Sequence, residues 1–179
     1  MNHSRRHTLG LAATALMLGA CASAPIPADY ASETPKLDLR RYFNGPLTGY
    51  GVFTDRSGKV VRRFTVKMTG TWNGNEGVLD EDFSYSDGKK EKRVWRLTDL
   101  GGGRYSGRAD DVEGVAVGVA AGNALNWRYT LALNVDGRVI NVQFDDWMYL
   151  MDERVMLNKA SMSKFGIYLG EVTLAFTKP

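Results

Sequence analysis

Apolar and polar residues alternate with a period of two over much of this chain. Val60, Arg62, Phe64, Val66 and Met68 fall on one face of an extended backbone, and Val61, Arg63, Thr65, Lys67 and Thr69 fall on the other. The stretch 123–134 repeats the pattern, with Leu125, Trp127, Tyr129, Leu131 and Leu133 on one side. Turn signals separate such stretches: Ser57-Gly58, Asn73-Gly74-Asn75, Asp87-Gly88, Gly101-Gly102-Gly103, Asp136-Gly137 and Asp152-Glu153. Strands are therefore predicted over 49–54, 60–69, 77–85, 91–98, 104–108, 123–134, 138–150, 154–161 and 166–177. A helical signal arises only over 112–124, where Gly114, Gly118 and Gly122 are four apart. A strand with a close backbone approach, or a loop over a barrel mouth, fits that stretch better than a helix.

Short strands at regular spacing with tight turns predict an antiparallel sandwich or a closed barrel. Closure leaves no exposed edge. The expectation is an all-β, antiparallel, up-and-down (lipocalin-like) β-barrel of about 8–10 strands, wide enough to hold a small ligand. It would occupy residues 37–179, a length of about 145 residues that suits a single core.

The N-terminus follows a different pattern. Arg5 and Arg6 precede a short apolar run from Leu9 to Leu18, which reads as a secretory signal peptide over residues 1–20. The run is too short to span a bilayer, which takes about 20 apolar residues. Leu18-Gly19-Ala20-Cys21 matches the lipobox of bacterial lipoproteins, so Cys21 is the expected lipidation site and the new N-terminus. Ser4-Arg5-Arg6 is a partial twin-arginine match, and the general and twin-arginine export routes both stay open. Ala22 after the cysteine implies an outer-membrane destination facing the periplasm. The Ala-, Pro- and Ser-rich stretch up to residue 36 reads as a flexible tether. The expected attachment to the membrane is thus through lipid chains.

Processing would change the available chemistry. Both histidines, His3 and His7, lie in the signal region, and Cys21 is the one cysteine. The mature domain would have no histidine and no free thiol, which excludes Ser-His-Asp and Cys-His catalysis, Cys or His zinc sites and a disulfide. No enzymatic activity, cofactor or metal is expected. Without Arg5 and Arg6, 21 basic residues face 20 acidic ones, a net charge of +1. The precursor's pI of about 9.0 therefore carries no implication of a nucleic-acid partner.

Phe144-Asp145-Asp146-Trp147-Met148-Tyr149 is the most unusual stretch. Neighbouring carboxylates on a strand point to opposite faces. Ile140, Val142, Phe144, Met148 and Leu150 share a face with Asp146, while Trp147 and Tyr149 share one with Asp145. One of the two acids should face inward and needs a partner, because an unpaired buried charge costs several kcal/mol. Arg128 and Arg154, on flanking segments, are the partners to expect. Such a pair could fix a lipid head group, or be a structural or surface ion pair. Trp72, Trp95, Trp127 and Trp147 lie on four predicted strands and could line a cavity or fill a plain core. The candidate ligand-binding residues are Trp95, Trp127, Arg128, Asp145, Asp146, Trp147, Tyr149 and Arg154. Two acidic clusters, Asp80-Glu81-Asp82 and Asp110-Asp111 with Glu113, lack the spacing of a calcium loop and read as solvated turns and strand ends. Ser161-Met162-Ser163-Lys164 matches Ser-x-x-Lys only formally, with no companion motif.

The lipobox, residues 39–55 (LRRYFNGPLTGYGVFTD), Arg62-Arg63-Phe64, residues 79–83 (LDEDF), Val94-Trp95-Arg96, residues 122–129 (GNALNWRY) and residues 145–164 together resemble the proteobacterial lipoprotein family known as domain of unknown function 3833. That family has no established activity. Its members often stand near genes for lipid modification of the cyclopropane-fatty-acid type, which implies a link to membrane lipids. Gly70-Thr71-Trp72 also looks like the Gly-x-Trp of lipocalins, here placed after two predicted strands. The function to expect is binding or shuttling of a hydrophobic, lipid-like molecule by a barrel anchored at the outer membrane. The alternatives are a structural lipoprotein that docks an envelope partner and, less favoured, a fatty-acyl-modifying enzyme with Asp145 or Asp146 as base.

Overall fold

The computed structural model describes residues 23–135 and 137–179. The signal region and Cys21 lie outside the described residues. Ten antiparallel strands close into an up-and-down barrel. They are β1 (Gly45–Asp55), β2 (Val60–Asn73), β3 (Glu76–Tyr85), β4 (Lys90–Gly101), β5 (Arg104–Arg108), β6 (Val112–Ala121), β7 (Ala124–Val135), β8 (Arg138–Leu150), β9 (Val155–Lys164) and β10 (Ile167–Thr177). Each strand pairs with its sequence neighbours, and β1 pairs with β10 from Thr48↔Thr177 to Asp55↔Gly170. The fold expected from alternation is the fold observed.

The alternation decides which side chains face the lumen. Phe64, Val66 and Met68 on β2, Leu79 on β3, Trp95 and Leu97 on β4, Leu125, Trp127 and Leu131 on β7, and Val142 and Phe144 on β8 are all buried. Each such side chain withdrawn from water contributes about 1.5–3 kcal/mol.

The stretch 112–124 resolves as β6 plus a turn, a strand with the close approach its glycines allow. Gly118 on β6 and Gly107 on β5 lie under the indole of Trp127. A methyl at Gly107 would stand 2.7 Å from Cζ2 of that ring, and one at Gly118 would meet the ring more closely still. The glycines are the floor on which a large inward side chain is laid.

One end of the barrel is plugged. Asp38 caps a single helical turn, α1 (Leu39–Tyr42), its Oδ1 accepting from the backbone N–H of Arg40 at 2.9 Å and of Arg41 at 3.3 Å. Leu39, Tyr42 and Phe43 are buried there. Phe43 meets Phe176 edge to face at 5.6 Å, and its carbonyl accepts from the Trp72 indole N–H at 3.1 Å. Trp72 thus belongs to the plug.

The stretch expected to be a tether is fastened to the barrel from Pro27 onward. A 3-10 turn (Pro27–Tyr30) sets the Tyr30 ring against Trp147 and Tyr149 on the outer wall, at 5.7 and 5.4 Å. The backbone N–H of Leu37 donates to Gly122 O at 2.8 Å. Proline and alanine content suggests a free linker, but the aromatic and backbone partners that hold this segment lie more than 80 residues away in sequence.

Candidate functional site: the barrel lumen

The barrel encloses a cavity of about 870 Å³. Leu39 and Phe43 of the plug contribute to its floor. Its lining reaches Asp55, Val61, Lys89, Asn134 and Leu169 at the other end, so it opens among the β1–β2, β3–β4, β7–β8 and β9–β10 turns. Small-molecule sites span about 300–1,000 Å³ and combine mostly apolar walls with a few placed polar groups.

Two aromatic groups build the walls. Trp95 stands edge-on to Trp127 at 5.8 Å and to Tyr129 at 5.5 Å, and Tyr129 stacks on Phe144 at 4.9 Å. Nearer the mouth, Phe64 packs against Phe53, Phe83 and Tyr85 at 5.2–5.9 Å. The Arg62 guanidinium lies over the Tyr85 ring at 3.5 Å and is also paired with Asp87 at 2.9 Å. Edge-to-face and offset contacts of this kind lock ring orientation as well as burying area.

Below the mouth, Glu81, Arg93, Asp111 and Asp146 bring charge into this apolar space. Glu81 on β3 is directly opposite Arg93 on β4 in the ladder. The guanidinium, however, is turned to Asp111 in the β5–β6 turn, with Nε–Oδ2 at 2.9 Å and Nη2–Oδ2 at 2.7 Å. Its Nη1 stays 3.8 Å from Glu81 Oε2, beyond hydrogen-bond distance. Glu81 is 7% exposed, and its Oε2 has no hydrogen-bond partner among the described residues. The fourth group, Asp146 on β8, accepts from the Asn158 side-chain amide on β9.

Burial raises the Glu81 carboxyl to about 7; Arg93 opposes the shift, and the negative charge of Asp111 adds to it. Burial likewise raises Asp146 to about 7, opposed by the Asn158 hydrogen bond and reinforced by Asp145. Burial also weighs against the charge of Arg93, but Asp111 and Glu81 outweigh it and hold the guanidinium firmly ionised.

The structure sorts the expected site residues. Trp95, Trp127 and Asp146 line the cavity. Of the Asp pair, Asp146 is the inward one. Arg128 reaches Asp145 at 3.3 Å, an exposed ion pair on the outer wall that Asn126 also joins at 2.6 Å. Arg154 does not reach either acid: it is exposed near the plugged end and donates to Lys178 O. Neither arginine is therefore the partner of the buried acid: Arg128 leaves β7 on the solvent side, and Arg154 lies in the exposed β8–β9 turn. Trp147 and Tyr149 stack on each other outside the barrel, where Tyr30 covers them.

Glu81, Arg93 and Asp111 are the residues that the sequence reading passed over. Clusters of acids suggested solvated turns, yet parity carried the signal. Glu81 shares its face with Leu79, Phe83 and Tyr85, and Arg93 shares its face with Trp95 and Leu97.

Residues 15–178 match the family model "Protein of unknown function (DUF3833)". The chain belongs to that family. No curated protein sequence matches it. Among solved structures it is similar to the S-type phycobiliprotein lyase CPES from Guillardia theta, with a TM-score of 0.58 and 5% identity over 87% of this chain and 98% of that one. It is also similar to a protein of unknown function of the DUF3598 family from Nostoc punctiforme, with a TM-score of 0.50 and 11% identity over 82% of this chain and 51% of that one. At such identities the likeness is one of fold.

Proposed function

We propose that this protein is a lipid-anchored binding barrel that holds or shuttles a hydrophobic, lipid-like molecule at the outer membrane, on the periplasmic side. The observation that carries this reading is the lumen: an apolar, aromatic-walled cavity of about 870 Å³, open at one end, with a small polar cluster inside it. A filled structural barrel would bring its side chains to close packing, with few voids larger than a water molecule. Two arguments support the membrane setting. Leu18-Gly19-Ala20-Cys21 matches a lipobox, which supports a lipid anchor at Cys21, and the mouth bears exposed apolar residues, with Phe165 at 87%, Ile167 at 63% and Leu169 at 39%. In this reading a lipid ligand enters past that rim and lies against the Trp95–Trp127–Tyr129 wall.

The test is native mass spectrometry of a Cys21→Ser protein whose residues 1–20 are replaced by a cleavable, non-lipoprotein export signal, purified from a bacterial periplasm without detergent. A discrete added mass that extracts into organic solvent is expected. An apo mass, with no uptake of added fatty amines, alcohols, acids or phospholipids, would reject the carrier reading and favour a protein that docks an envelope partner.

A further inference from the structure

The polar cluster in the lumen defines which kind of molecule the barrel takes, an inference that rests on the binding reading above. The starting point is an imbalance. Glu81, Asp111 and Asp146 are three carboxyl groups facing one guanidinium, that of Arg93. Arg93 is already committed: its Nε and Nη2 donate to both oxygens of Asp111 at 2.7–3.0 Å, and its remaining terminal nitrogen faces Glu81. Among the described residues no second cation stands beside these three carboxyl groups to receive an anion. The cations at the mouth are Arg62, held by Asp87 and stacked on Tyr85 with its buried Nε unpartnered, Lys92, paired with Asp80 at 2.6 Å, and Lys89 in the β3–β4 turn; the charges that act on Glu81 are those of Arg93, Asp111 and Asp146.

What the lumen does offer is an acceptor. Glu81 Oε2 is buried, lines the cavity and has no hydrogen-bond partner within bonding geometry among the described residues, the Trp95 indole on the neighbouring strand being a weak donor to the carboxylate. A buried polar atom without a partner costs about 1–3 kcal/mol. A ligand that supplies the missing donor recovers that cost, whereas one that brings another negative oxygen adds repulsion in a low-dielectric space. The Asp146 carboxylate lines the same cavity with a single amide donor from Asn158. The aromatic faces of Trp95 and Tyr129 beside these acids suit the hydrocarbon next to a cationic or hydroxylic head, and a cation near such faces gains further attraction.

We infer that the lumen selects amphiphiles whose buried polar end donates hydrogen bonds and carries no negative charge, a protonated amine foremost and a hydroxyl next, and that it discriminates against carboxylate-ended chains. Glu81 is the primary acceptor and Asp146 the second. A bound fatty acid, the commonest guess for a lipid-binding barrel, would be disfavoured here.

The test uses displacement of a neutral fluorescent probe, N-phenyl-1-naphthylamine, by dodecylamine, decanol and dodecanoate at pH 8. Dodecylamine is expected to displace the probe at a concentration at least 10-fold below that of dodecanoate. The Glu81→Gln/Asp146→Asn protein should lose most of that difference while still binding the probe. Dodecanoate displacing as well as or better than dodecylamine, or a preference untouched by the two substitutions, overturns the inference. Failure of the probe and of all three amphiphiles to bind would instead overturn the binding reading itself.

If the double variant does not fold, the wild-type protein gives the same answer through pH. Glu81 is faced by Arg93 on β4, Asp111 in the β5–β6 turn, Tyr129 on β7 and Asp146 on β8; Asp146 is faced by Asn158 on β9 and Asp145 beside it. Protonation of the two acids between pH 8 and pH 6 removes the negative partners of an ammonium group. Dodecylamine should therefore weaken by about 10-fold over that range, with decanol nearly unchanged. Constant amine affinity from pH 8 to pH 6 would overturn the assignment.

Discussion

Glu81 and Arg93 face each other directly across the β3–β4 ladder, yet the guanidinium has turned away to grip Asp111, leaving 3.8 Å between the two charges. A cross-strand pair that looks like a simple salt bridge is in fact an arginine satisfied by a third residue and a glutamate left short of a donor. The character of the lumen follows from that displacement.

The raised carboxyls give a pH signature in the empty protein. Glu81 and Asp146 titrate near 7 when folded, against ordinary values of 4.5 and 3.8. Between those limits the native state holds more protons than the unfolded chain, so stability falls as pH rises from about 4.5 to about 7 and levels off above. Glu81→Gln should be nearly neutral at pH 4.5 and stabilising at pH 8, on the order of 1–3 kcal/mol. Urea denaturation at the two pH values checks this, and an equal effect at both would contradict it.

Trp127 depends on missing side chains beneath it. Gly118→Ala forces a methyl into the indole ring and should cost about 1–3 kcal/mol, as overpacking does. Pairing it with Trp127→Leu should cost less than the two changes added together, since the substitutions share one contact. A double-mutant cycle by chemical denaturation measures the coupling.

Phe165 opens the β9–β10 turn at a φ of 51°, a left-handed conformation that suits asparagine or glycine, with its ring 87% exposed. Non-glycine residues held there carry about 1–3 kcal/mol of strain. Phe165→Asn should raise the thermal midpoint. Loss of stability on that change would mean that the ring has packing partners in solution.

Trp147 and Tyr149 are separated from the lumen by the barrel wall. Tyr30→Ala should expose them and speed amide hydrogen exchange in residues 23–36, while probe binding in the lumen stays within about two-fold of wild type. Trp95→Ala should do the reverse, weakening the probe and leaving exchange of the N-terminal segment unchanged. Hydrogen-exchange mass spectrometry with a binding titration separates the two sites.

The sequence alone determined a good deal. Alternation between glycine-marked turns is enough to specify an antiparallel barrel, because a period-two chain can bury its apolar face only by closing on itself or on a second sheet. The same parity put Asp146 on a face with Val142 and Phe144 and Trp127 on one with Leu125 and Leu131, and required that one acid of the Asp145–Asp146 pair face inward without saying which. Tertiary structure decided the rest. Arg128, Trp147 and Tyr149 are near Asp146 in sequence or on its neighbouring strand, but a strand wall one residue thick sends adjacent side chains to opposite sides, and all three stand outside with Asp145. The pairing of Arg93 with Asp111 joins positions 18 residues apart through a turn whose course no local pattern specifies. The fastening of Tyr30 to the outer wall spans 119 residues to Tyr149. Whether the lumen would be filled or hollow was settled only when ten strands fixed the barrel's girth and a one-turn plug closed one end, since cavity volume depends on how side chains meet across the interior and not on the order in which they are strung.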